Sequence, residues 1–316
     1  MEELILPRAL ESAERILVAG AGGGFDVYAG LPIYERLRRL GKQVWLANLS
    51  FTNVAGTDAK QLGRALWAVD PTSAGSDAYF PERVLARFLA ARGDRSTVYA
   101  FDKTGVAPIR EAYDQIVAMH DIDAIVLVDG GTDILMRGDE AELGTPTEDA
   151  TSLAAVSSLT TPVATRMVMC VGFGIDAYHG VCHSHWLENV AALTHDGGFL
   201  GAIALRREMP EAQLYLDAVD ASEVATPSRP SIVNGSIASA IVGKFGDRHR
   251  SERTRSSTLF INPLMTLLWA FDLDAVARHN LYLHALANTE TEWDVQMLIQ
   301  AFHQRATKRP RVPFPH

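Results

Sequence analysis

The chain has 316 residues, 47% of them hydrophobic and 21% charged, with a net charge of −9 at neutral pH. This is ordinary globular composition, long enough for one large domain or two small ones. The acidic balance disfavours a nucleic-acid partner, and no apolar run reaches the ~18 residues that would suggest a membrane span.

Residues 1–14 carry early acids and no long apolar segment, so they read as a lead-in helix and not as a secretory signal. Ile16–Ala19 is a short apolar run that predicts a buried strand, and it breaks into Gly20-Ala21-Gly22-Gly23-Gly24. An amphipathic helical run follows, with Val27, Leu31, Ile33, Tyr34, Leu37 and Leu40 on one stripe and a stop at Gly41. Strand, glycine turn and helix together form the opening unit of a nucleotide-type α/β fold, with the helix N-terminus aimed at whatever the turn holds.

Gln43–Leu49 predicts a second strand, apolar on both faces. Residues 50–79 are irregular, with a short helix expected over Ala59–Leu66. Helices follow over Pro81–Arg92 and Pro108–His120, and strands over Thr97–Phe101 and Ala124–Val128. The last of these ends in Asp129-Gly130-Gly131-Thr132-Asp133. Thr145-Pro146-Thr147-Glu148 spells a capping box for a helix running to about Ser158. A strand over Arg166–Val171 ends in Gly172-Phe173-Gly174-Ile175-Asp176. Helix Trp186–Leu193, strand Gly198–Leu205 and helix Pro210–Ala221 continue the alternation. Beyond Thr226 the pattern is less regular: helix over Ile232–Val242, strand over Thr258–Ile261, strand or helix over Leu264–Ala270, helix over Glu292–Gln304. The alternation predicts an α/β fold with a doubly wound, mostly parallel sheet and helices on both faces. Residues 1–316 are expected to form a single domain, with a less regular part from about 226 to 316.

In such a sheet, ligands bind beyond the carboxyl ends of the strands. Those ends offer Gly20, Gly22, Gly23, Gly24 and Asp26, then Asn48 and Ser50, then Asp129, Gly130, Gly131, Thr132 and Asp133, and finally Gly174, Asp176, His179 and His183. An NAD site is disfavoured, because Phe25 stands where the fingerprint needs its third glycine and Asn48-Leu49-Ser50 where it needs an acid. No Gly-Lys-Ser/Thr follows the glycines, so the Walker pattern is missing too. A carboxylate at Asp26 repels a phosphate; it suits a sugar hydroxyl, an amine or a metal ion, or caps the helix. Asp129 and Asp133, separated by two glycines, suit general-base work or a divalent cation. His179 suits acid–base chemistry and His183 substrate contact, with structural capping or a metal site as the alternative roles of the histidine cluster. The spacing of His179, His183 and His185 matches no zinc signature, and Cys182 beside His183 is adjacency without paired geometry. Cys170 and Cys182, the two cysteines, form no CxxC pair, which fits a reducing cytoplasm. Lys244–Arg255 is a basic run, read as exposed connection or as a segment that closes over an anionic substrate. Trp269, Phe271, Tyr282 and Trp293 read as core or subunit interface, which leaves room for a homo-oligomer.

The stretches GAGGGFDVYAGLPI, VDGGTDILMRGDEAELGTPTEDA and VGFGID together resemble the bacterial and archaeal family called domain of unknown function 1152. The resemblance runs to about residue 270, and its most specific part is the DGGTD–RGDE–GTP–EDA block. It implies a Rossmann-like fold in a prokaryotic cytoplasmic protein and carries no catalytic residue over. Where the family continues with glycine and acid after GFGID, this chain has His179 to His185.

Three functions fit this reading. The first is an enzyme that hydrolyses or transfers a group on a small polar substrate: a nucleoside, nucleotide or sugar phosphate. The second is a sensor that binds a small ligand without turnover. The third is a metal-dependent hydrolase using Asp26, Asp129, Asp133 and a histidine. No motif names a cofactor; the acids leave room for a divalent cation.

Overall fold

The computed structural model describes residues 3–76 and 78–313. Its strands are β1 (Arg15–Gly20), β2 (Gln43–Leu49), β3 (Lys60–Gly63), β4 (Leu66–Val69), β5 (Val98–Phe101), β6 (Ala124–Gly130), β7 (Thr165–Val171), β8 (Phe199–Ala204), β9 (Gly246–Asp247), β10 (Phe260–Ile261) and β11 (Leu267–Asp272). Nine of them form one sheet in the order β3-β4-β5-β2-β1-β6-β7-β11-β8, while β9 and β10 form a small separate ribbon. The five central strands, β5-β2-β1-β6-β7, are parallel. The outer pairings β3·β4, β4·β5, β7·β11 and β11·β8 are antiparallel.

The central strands are apolar through their middles because both faces are covered, with polar residues such as Arg15, Gln43, Asn48, Asp129 and Arg166 confined to their ends. Alternate residues of each strand enter different cores. Leu17, Ala19, Ile125, Leu127 and Val168 join one, and Ile16, Val18, Val126, Val128 and Met167 join the other. The second core is completed by residues of α1 (Asp26–Ala29), α2 (Leu31–Arg39) and α3 (Pro81–Ala90). The first core is completed by α4 (Val106–His120), α5 (Pro146–Ser157) and α6 (His183–His195). Later in the chain, α7 (Pro210–Ala225) and α8 (Ile232–Ile241) pack into the second core, and α9 (Leu273–His279) and α10 (Glu292–Arg305) into the first. The sheet is therefore doubly wound, as the alternation of the sequence predicts. From β1 the chain winds outward through β2 to β5, then crosses back to β6 and β7 on the other side. The order reverses between β1 and β6, and that switch point opens the crevice.

Several local expectations are corrected. Residues 3–14 form no helix beyond one 3₁₀ turn at Arg8–Leu10; Pro7 precedes it, and Leu4, Leu10 and Ala13 anchor the segment by burial. Ala59–Leu66 holds β3 and the turn into β4 instead of a helix, and β4 pairs with β5. The first long helix is two helices broken at Gly30, where a side chain's first carbon would lie 2.6 Å from Val18 Cγ1. The Thr145 capping box does not form: the Thr145 N–H and hydroxyl both donate to Asp133. Helix α9 was not foreseen. Phe271 and Tyr282 are core, Trp269 packs at the core's edge, and Trp293 is 65% exposed. No helix among the described residues is long and apolar enough to cross a membrane.

Candidate carboxylate site

The loop after β1 turns back on itself directly above the sheet. The Ala21 N–H donates to Val128 O (2.8 Å), tying the loop to β6, and the Gly24 N–H donates to Leu49 O (3.1 Å), tying it to β2. Gly23 and Gly24 have φ values of +88° and +63°, which side-chain-bearing residues rarely adopt. The turn aims Asp26 back across its own loop, where its Oδ2 accepts the Gly22 N–H at 2.7 Å. Asp26 is thus no helix cap; it is the first residue of α1 and faces the crevice.

The loop after β6 supplies the next acids. Asp129 Oδ2 accepts the Ile134 N–H at 3.2 Å. Asp133 Oδ2 accepts the Thr145 N–H (2.7 Å) and hydroxyl (3.1 Å). Asp176, from the loop after β7, accepts the Thr132 N–H (2.7 Å) and hydroxyl (3.1 Å). Gly130 and Gly131 are small because carboxylates crowd them. A side chain's first carbon would lie 3.0 Å from Asp26 at Gly130 and 2.9 Å from Asp129 at Gly131.

A further acid completes the group. Asp149, in the first turn of α5, is buried, and its Oδ1 has no hydrogen-bond partner. Asp26, Asp129 and Asp149 each present an atom that could ligate a metal, and these atoms all lie within 4.8 Å of one another. The sequence pattern points to Asp26 and Asp129 together but not to Asp149, whose only signal is its place in the EDA part of the block that carries the family resemblance. The same reading put Asp133 with a metal; its hydrogen bonds instead join the loop after β6 to the start of α5.

Electrostatics distinguish this group. Burial raises Asp26 to about 7; the charges of Asp133 and Glu148 add to the rise, and the N–H groups of Gly22 and Gly130 oppose it. Burial, then the charges of Asp133, Asp26 and Asp176, holds Asp129 well above the usual carboxylate range. Burial and the neighbouring acids Asp129, Asp133 and Asp26 do the same to Asp149. Asp176 is raised by burial and by Asp133, and Asp133 by burial against the pull of Thr145. Packing carboxylates this way disfavours their ionised forms, and a cation among them would favour ionisation again.

Asp26 forms part of the floor of a cleft of about 690 Å³. Gly23 and Gly24 also line it, as do Asp176 and His179 from the segment after β7. Phe51 and Tyr79 form an aromatic wall, with Arg229 and Arg253 also in the lining. Among the other residues expected at the site, Asn48 is fully buried. It donates to Gly24 O (2.8 Å) and Glu82 Oε1 (2.6 Å), and accepts the Val27 N–H (3.3 Å). Asn48 therefore braces the glycine turn from below. Ser50 is buried beside it and accepts the Thr52 N–H. Gly20 abuts Asn48 and the backbone of α1. His183 packs edge-on against Phe173 and close to Gly174, away from the cleft lining. His185 is buried and bonds to Pro310 O.

A family model described as "Protein of unknown function (DUF1152)" matches residues 17–304. No curated protein matches the chain.

Proposed function

The chain belongs to the DUF1152 family, and we propose that this member is an enzyme that uses a divalent cation to hydrolyse, or transfer a group on, a small polar substrate. The observation that carries this reading is the convergence of Asp26, Asp129 and Asp149 within 4.8 Å, with Asp149 Oδ1 buried and unpartnered. Three carboxylate oxygens suit a hard cation such as Mg²⁺ or Mn²⁺, and the position at the switch point of the sheet is where a substrate enters. A cation there supplies a Lewis acid beside the cleft. The protein's own residues do the rest. Asp133 and Asp176, each held by a threonine, fix the shape of the loops after β6 and β7. His179 is exposed, lines the cleft and lies within electrostatic reach of Asp133.

The test is product formation from a pool of small phosphorylated and glycosylated metabolites, with MnCl₂ or with EDTA, by the full chain and by Asp129→Asn and Asp149→Asn. Products that need both the cation and the two aspartates support the reading. Turnover that is equal in EDTA, or in the two variants, overturns it.

A further inference from the structure

The cleft has a second, oppositely charged end. Arg229 and Arg253 both line it, and among the described residues neither guanidinium meets a carboxylate. This contrasts with Arg250 in the same basic run, which is tied to Asp220 and Glu223. Arg253 is oriented by a hydrogen bond from Nη1 to Pro230 O (2.7 Å), and Arg229 lies 6.0 Å from the Tyr79 ring centroid. The ten-residue helix α8 opens on the same end, through Ser231, Ile232 and Val233, so the positive end of its dipole adds to the two guanidiniums. Ser256 and Ser257 add hydroxyls. Tyr79 lies within electrostatic reach of Asp26, Arg229 and Arg253 together, so the cleft's acid and its arginines surround one aromatic side chain.

From this polarity we infer that the substrate is a phosphate ester. Its phosphate is held by Arg229 and Arg253 against the start of α8, and its remainder lies along Phe51 and Tyr79 toward the carboxylates. Guanidinium forks match phosphate oxygens, and a cation at the acids complements the same anion from the other side. The inference rests on the reading of this cleft as a substrate site, and it assigns the basic run a role through Arg253 alone.

The test is calorimetric titration of the full chain with inorganic phosphate at fixed ionic strength, and separately with MgCl₂. The variants are Arg229→Gln, Arg253→Gln and, as a control outside the cleft, Lys244→Gln. Expected are phosphate binding by the unaltered chain, at least about tenfold weaker binding in each arginine variant, and no change in Lys244→Gln, as for loss of a charge-assisted hydrogen bond. Mg²⁺ binding should be the same in all four proteins. No phosphate binding, or equal binding in the arginine variants, overturns the inference. Arginine-dependent phosphate binding without any Mg²⁺ binding supports it and overturns only the cation reading.

Discussion

The carboxylates of Asp26 and Asp149 close on Gly22 from two sides: a methyl group there would lie 2.7 Å from Asp26 Oδ2 and 2.8 Å from Asp149 Oδ2. The glycine turn is thus narrow at this point to admit two acids. Gly22→Ala should push them apart, lowering stability by about 1–3 kcal/mol as overpacking does and weakening Mn²⁺ binding at least about tenfold. Denaturant melts and a Mn²⁺ titration check both, and unaltered Mn²⁺ affinity would show that Gly22 does not set the spacing of the acids.

Stability without cations should fall as pH rises. Asp26 and Glu82 are both raised to about 7, by burial first, and Asp129, Asp149 and Asp176 are raised as well. Between their unfolded and folded values the native state holds more protons than the unfolded chain, so the unfolding free energy declines with pH. Asp94 and Asp114 are held low by hydrogen bonds despite their burial and act in the opposite sense only at more acid pH, while His120, His183 and His279, lowered by burial, offset part of the decline below about pH 6.5 and none of it above. In EDTA, Tm should therefore decline from about pH 5 to about pH 8, and saturating Mn²⁺ should flatten the curve by replacing the protons. A Tm in EDTA that stays level or climbs across that window would show that the acids are not held protonated.

Asn48 tests bracing against substrate contact. Asn48→Ala leaves Gly24 O and Glu82 Oε1 without their donor in a buried place, and each such loss costs about 1–3 kcal/mol. The variant should be strongly destabilised, with the glycine turn loosened, as urea melts and hydrogen exchange at Gly24 would report. A fully stable Asn48→Ala protein would mean that Asn48 does not brace the turn.

Asp149→Asn should raise the stability of the cation-free protein at pH 8, because it removes one member of a group of mutually repelling acids. Thermal melts in EDTA measure this. A lower Tm than the unaltered chain would mean that Asp149 already has its charge balanced within the fold.

The sheet was legible because its strands carry their own signature: apolar runs such as Ala124–Val128 ending in glycine and acid, alternating with helical runs. The switch point followed from their order, and so did the meeting of Asp26 with Asp129. Asp149 was not legible. It lies in the first turn of α5, where an acid is ordinary for a helix start, and only the packing of α5 against the β1 loop turns it toward the other two. Asn48 misled for the opposite reason: it stands at a strand's carboxyl end, but its side chain points under the loop to Glu82. The Ala59–Leu66 hairpin escaped because its pairing with β5 is a long-range contact that local pattern does not encode. Arg229 and Arg253 come to one rim only through the fold of α8 and the segment after it.

On the proposed reading, Asp26, Asp129 and Asp149 hold one divalent cation. Calorimetric titration of MnCl₂ into the full chain at pH 7.5, and into Asp26→Asn, Asp129→Asn and Asp149→Asn, tests it most directly. One saturable site is expected in the unaltered chain, weakened at least about tenfold in each variant while circular dichroism stays native. No binding by the unaltered chain, or binding that survives all three substitutions, would contradict it.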